Sequence, residues 1–199
     1  MRKLSLLFCA LLSVASAAFA QTLSQADRDK GLQYLEQTRD GVIAATKGLS
    51  DAQMKFKPAP DRWSVVEIVE HITKVEDGIF LNVTEKVMKA PAGAPDRDPV
   101  KIDAQVLAVV PYRSHKRQSA PQFVPTGNLT PADAVDHFLK TRAKTMEFLE
   151  STPDLRAHVA DSPLGPLDAY EWLLFTSAHS ERHTKQILEV KADPNFPKD

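Results

Sequence analysis

The residues best placed to do chemistry in this chain are histidines, and two of its six stand four apart near the C-terminus. His179 and His183 belong to a run in which Trp172, Phe175, Thr176, His179, His183, Gln186 and Val190 recur at the i, i+3, i+4, i+7 spacing of one helix face. Side chains four apart on a helix are neighbours, so the two imidazoles project together and can grip one ion. A lone histidine on an apolar face is ordinarily a core residue with one hydrogen bond; a pair at this spacing points to ligation. His71 lies beside Ile68 and Ile72 and one turn before Val75, at the edge of a second apolar face.

Three neutral imidazoles drawn from two helices suit zinc, nickel or another late first-row divalent ion. Closed structural sites ordinarily have four protein ligands, so a set of three leaves room for water or a substrate. A bound ion would then lower the pKa of water or polarise a substrate oxygen or sulfur. Glu67, one turn before His71, and Glu70, adjacent to it, could orient an imidazole or act as a base; they read more naturally as solvated helix residues. Gln186, one turn beyond His183, carries the same alternatives and likewise reads more naturally as a solvated residue. No catalytic residue stands out. His115 in a basic loop, His137 beside Asp136 and His158 in a connector read as surface residues.

Helices must carry these residues. Ser24 with Asp27 opens a first helix near 24–47, whose stripe is Leu32, Leu35, Val42, Ile43 and Leu49. Ser64-Val65-Val66-Glu67 is a capping box before a second helix, 64–89, with Val65, Ile68, Ile72, Val75 and Ile79 on one side. Thr130-Pro131-Ala132-Asp133 starts a third, with Val135, Phe138, Leu139, Met146 and Leu149 as its stripe and Pro153 past its end. The fourth, 168–191, bears the histidine pair. Between the second and third, residues 90–129 carry prolines 91, 95, 99, 111, 121 and 125, which exclude a long helix. A short helical turn fits 101–110; the rest reads as extended loop. Such a loop either covers a site or is an inert crossover between parallel-running helices. With no convincing strand signal, the fold class is all-α, a four-helix bundle with a long proline-rich crossover.

The first 20 residues read as a signal peptide: Arg2 and Lys3, an apolar run from Leu4 to Ala17, then Ala18-Phe19-Ala20 before cleavage at Gln21. The expected product is a single domain, 21–199, exported to the periplasm or secreted. Cys9 is the one cysteine, so the cleaved chain would have neither disulfide nor thiol chemistry. A net charge of −1 gives no reason to expect nucleic acid or an anionic membrane as partner.

Arg62-Trp63-Ser64-Val65-Val66-Glu67-Ile68-Val69-Glu70-His71-Ile72 resembles the start of the second helix of DinB-like proteins. His179-Ser180-Glu181-Arg182-His183-Thr184-Lys185-Gln186-Ile187 resembles that family's last helix, an H-x-x-R-H-x-x-Q-I pattern. The stretch from Lys116 to Gly127 is similar to its crossover. The likeness spans about 24–192. It implies an up-down-down-up bundle, a metal triad at His71, His179 and His183, and frequent dimers. Related branches include thiol-dependent transferases and isomerases. The expectation is an exported metal-dependent hydrolase or transferase acting on a small molecule. The alternative is a bundle that binds metal or a small ligand without turnover, and a third reading is a structural bundle whose histidines only pack.

Overall fold

Every long helix among the described residues begins on a side chain that accepts from one of its free N–H groups. The computed structural model describes residues 22–94, 96–114 and 118–198. The segment read as a signal peptide, including Cys9, and His115, Lys116 and Arg117 lie outside the described residues. The helices are α1 (Gln25–Thr46), the short α2 (Asp51–Lys55), α3 (Val65–Glu85), α4 (Pro99–Val109), α5 (Pro131–Ser151) and α6 (Ala169–Lys191). Ser24, Ser64, Thr130 and Asp168 accept from the N–H groups of Asp27, Glu67, Asp133 and Glu171, and α3 and α6 start with full capping boxes.

The second helix is shorter than its apolar period suggests. It ends at Glu85, Lys86 leaves helical geometry at φ −123°, and Val87–Lys89 form a 3-10 turn. Val87 is nonetheless fully buried, so the apolar stripe runs on through the break. The crossover holds more helix than a single turn. Asp98 caps α4, and Pro99 stands at its opening, where a missing N–H does no harm. The connector before α6 contains a two-residue antiparallel ladder, Val159–Ala160 against Leu167–Asp168, too short to show strand alternation in the sequence.

Contacts fix the directions. The Tyr170 hydroxyl donates to the Asp27 carbonyl (2.6 Å) and Lys191 to the Ala45 carbonyl (2.9 Å), so α1 and α6 run parallel. Thr141 donates to Asp77 (3.1 Å) and the rings of Phe80 and Phe148 meet at 5.3 Å, so α3 and α5 run parallel. Arg28 near the start of α1 reaches the Glu150 carbonyl at the end of α5 (3.1 Å), which sets the two pairs in opposition. The order α1, α3, α5, α6 is therefore up-down-down-up. Parallel neighbours cannot be joined by a tight turn, and the crossover must climb the length of the bundle.

A polar layer divides the core. On one side Leu35, Val75, Ile79, Leu149 and Leu173 pack together; on the other Val42, Ile68, Ile72, Phe138 and Ile187 do. Between them the Arg142 guanidinium has no solvent exposure. Its Nε and Nη2 donate to Glu76 (both 2.9 Å), Nη1 to the Leu35 carbonyl (2.7 Å) and Thr38 hydroxyl (3.0 Å), and Nη2 also to Ser180 (2.7 Å). Every N–H of the guanidinium is used, and each of the other three long helices supplies a partner. Arg142 occupies a place in the buried face of α5, whereas Leu139, assigned to that face by its type, is 39% exposed. Among the described residues no helix is long and apolar enough to cross a membrane.

Removing one partner of a buried ion pair strands the other charge. Arg142→Leu should destabilise the protein by about 3–5 kcal/mol in urea unfolding, and pairing it with Glu76→Leu should restore much of that loss. A single-variant loss of only ~0.5 kcal/mol, the range of surface substitutions, would contradict the role given to this layer.

Candidate metal centre

Helices α3 and α6 are antiparallel neighbours, and each brings imidazoles to the same depth. His71 comes from the second turn of α3; His179 and His183 come from successive turns of α6. The ring centroids lie 5.1 Å apart for His71 and His179, 4.5 Å for His71 and His183, and 4.4 Å for His179 and His183. One ligand nitrogen from each lies within 4.8 Å of the others. His71 and His183 are buried, and His179 keeps part of its surface open.

Two of the rings are held by their far nitrogen. His71 Nδ1 lies 2.8 Å from the Phe123 carbonyl, which can only accept, so Nδ1 carries the proton and Nε2 the lone pair. His183 Nδ1 lies 2.8 Å from Gln186 Oε1, and Arg113 Nη1 donates to that same oxygen at 3.4 Å. Two donors converging on one amide atom select its oxygen, which gives His183 the same tautomer. His179 stacks on Phe175 with the planes 14° apart, and Trp63 lies 4.7 Å from His71.

Burial sets the protonation state. It lowers the pKa of His71, an effect partly offset by the Phe123 carbonyl and reinforced by Lys74. Burial, then the charges of His183 and His71, holds His179 well below the ordinary value. Burial, followed by repulsion from His71, takes His183 down to about 3 despite its bond to Gln186. All three are neutral at pH 7, the form that ligates. Nε2 lone pairs on at least two rings thus face a common space with Nδ1–H groups engaged elsewhere. A donor set of neutral nitrogens suits a borderline divalent ion and satisfies what the rings cannot offer one another.

Gln186, read as a solvated residue, is instead half-buried and orients His183 through its Oε1. Glu67 and Glu70 are neither solvated nor bases within the triad. Burial raises the pKa of Glu67, but bonds from Lys57 (2.7 Å) and the Ser64 N–H (2.8 Å) outweigh it and hold the carboxyl below its ordinary range. Glu70 is buried and accepts from the Thr126 N–H and hydroxyl (2.8 Å each) and the Gly127 N–H (3.2 Å). His137 is exposed, as its position on the outer side of α5 implies. His158, read as a surface residue, is half-buried because its Nδ1 bonds the Ala90 carbonyl across the connector. The Phe123 carbonyl left no mark in the sequence, since any residue there has one; Arg113 was visible only as part of a basic cluster.

These features define a four-helix-bundle protein with an interhelical histidine triad. The chain belongs to the DinB superfamily, whose family model matches residues 34–187. It is 24% identical over 148 residues to the uncharacterized protein YuaE of Bacillus subtilis (strain 168), covering 73% of this chain and 87% of that one. Its fold is similar to that of YfiT from Bacillus subtilis, described as a probable metal-dependent hydrolase with an unusual four-helix bundle topology. That likeness has a TM-score of 0.55 at 16% identity and covers 89% of this chain and 93% of the other.

The depressed histidines couple folding to pH. Because His183 sits near 3 in the folded chain against an ordinary 6.5, the unfolded chain takes up the proton first as pH falls. The stability this neutral ring contributes is complete above about pH 6.5 and is lost progressively on acidification towards 3. The urea midpoint of metal-stripped protein should fall across that window, and His183→Asn should flatten the slope. Identical slopes in the two proteins would contradict the assignment.

Proposed function

We propose that this protein is a metal-dependent hydrolase whose divalent ion, zinc or nickel, is held by His71, His179 and His183. The observation that carries the reading is the convergence of three neutral imidazoles, two of them anchored through Nδ1, with no carboxylate in the group among the described residues. When bound, such an ion supplies Lewis acidity, activating water or polarising a substrate oxygen. The chain's own part is positional. Phe123 and Gln186 aim the imidazoles, while Trp63 and Phe175 pack against two of the rings. The description of YfiT as a probable metal-dependent hydrolase supports the same chemistry for a shared fold. The signal-peptide pattern at the N-terminus supports placing that activity in the periplasm or outside the cell.

One observation favours a second reading, a bundle that binds metal or a small ligand without turnover. The carboxylates flanking His71 are both committed to structural bonds, leaving neither poised as a general base. The two readings separate in one set of measurements. Zinc- or nickel-loaded protein is screened against ester, amide and phosphoester panels and against thiol transfer. The hydrolase reading predicts turnover of a hydrolysable substrate that is abolished by chelator and by His183→Ala. Tight metal binding with blank screens selects the binding module. Both require chelator to lower Tm, since an ion bound only to the folded chain at a thousand times its Kd stabilises it by about 4 kcal/mol. An unchanged Tm would contradict both.

A further inference from the structure

The side of α3 that bears Glu70, His71 and Lys74 meets α6 through the imidazoles and, beside them, a strap of the crossover, residues 123–127. Lys74 donates to the Val124 carbonyl at 2.6 Å, and His71 to the Phe123 carbonyl at 2.8 Å. Glu70 takes the far end of the strap, accepting from the Thr126 N–H and hydroxyl through one oxygen and from the Gly127 N–H through the other. At the near end the Phe123 ring lies against Gly78; a Cβ there would come within 2.5 Å of the ring. Gly127 turns the strap at φ +73°, a conformation that favours glycine, with Glu67 directly beneath it.

A carboxylate buried on a helix face is unfavourable unless hydrogen bonds saturate it, and the strap's donors saturate Glu70. The same bonds fix where the strap lies. Glu70 and His71 are consecutive, so the carboxylate that holds residues 126–127 also sets the position of the carbonyl reaching His71. We propose that Glu70 is a positioning residue of the metal centre. By clasping the strap it keeps the Phe123 carbonyl on His71 Nδ1, and so holds His71 in the one tautomer that presents Nε2 to the triad. The tautomer is a property of the metal-free chain; the consequence for metal affinity rests on the triad reading above.

The test combines nitrogen-15 NMR of His71 in metal-free protein with zinc affinity measured against a competing chelator. Wild type should show one neutral tautomer with the proton on Nδ1. Glu70→Gln places an amide N–H against the strap's donors. It should give a mixture of tautomers and a zinc affinity about 10- to 100-fold weaker. Gly78→Ala improves helix propensity but displaces Phe123, and it should move both readouts the same way without touching Glu70. A folded Glu70→Gln protein with His71 still wholly in the Nδ1–H form would overturn the proposal. If that variant does not fold, Thr126→Val, which removes one donor to Glu70, decides: a mixed tautomer supports the proposal and an unmoved one overturns it. Should wild type bind no zinc, the triad reading fails while the tautomer still tests Glu70.

Discussion

The buried guanidinium of Arg142 is the constraint on which the rest of the bundle depends. A charge with no exposure is tolerable only when every donor is met, and here the partners come from the other three long helices. Sliding any one helix by a turn would break a bond that no water can replace. Two of those partners, Glu76 and Ser180, lie on the helices that carry the histidines, and Ser180 directly follows His179. The layer that locks α3 against α6 therefore also fixes the depth at which His71 meets His179 and His183. The triad stands on rigid elements, as a ligand set held in one geometry must.

The crossover follows from the same topology. Parallel α3 and α5 require a long return, and the chain uses that length to reach the triad from outside. Its first part is pinned to the head of α6. Arg97 donates to Asp168 (3.0 Å) and pairs with Glu171, and Arg156 bridges Asp103 (2.6 Å) and Asp168 (3.2 Å) while stacking on Tyr170. Further on, Arg113 grips Glu189 at 2.7 Å while donating to Gln186. Last, the strap delivers the Phe123 carbonyl. Two imidazoles on two different helices are thus oriented through the crossover, His71 directly and His183 by way of Gln186.

The sequence made the helices legible because capping and apolar period agree at each. Ser64 with Glu67, Thr130 with Pro131, and the stripes behind them mark starts and inner faces to within a residue or two at most ends. The triad was legible for the same reason: imidazoles on a buried face break the pattern of their neighbours. What escaped depends on partners distant in the chain. Arg142 sits in a gap of the α5 stripe, between Phe138 and Met146, and nothing local distinguishes a buried arginine from a solvated one. Glu70 looks like an ordinary surface residue until Thr126 and Gly127 are folded onto it. The α4 helix, read as a short turn over 101–110, starts two residues earlier because Pro99, which reads as a breaker, opens it. A backbone carbonyl such as that of Phe123 has no sequence signature at all.

The account stands on the three imidazoles forming one metal site, and elemental analysis of untagged protein tests that most directly. Wild type and the single variants His71→Ala, His179→Ala and His183→Ala would be purified, incubated with zinc or nickel and freed of loose metal. The account predicts about one divalent ion per chain in wild type and loss of that ion in each variant. Wild-type protein without metal after both incubations, or full occupancy retained when any one of the three is removed, would contradict it.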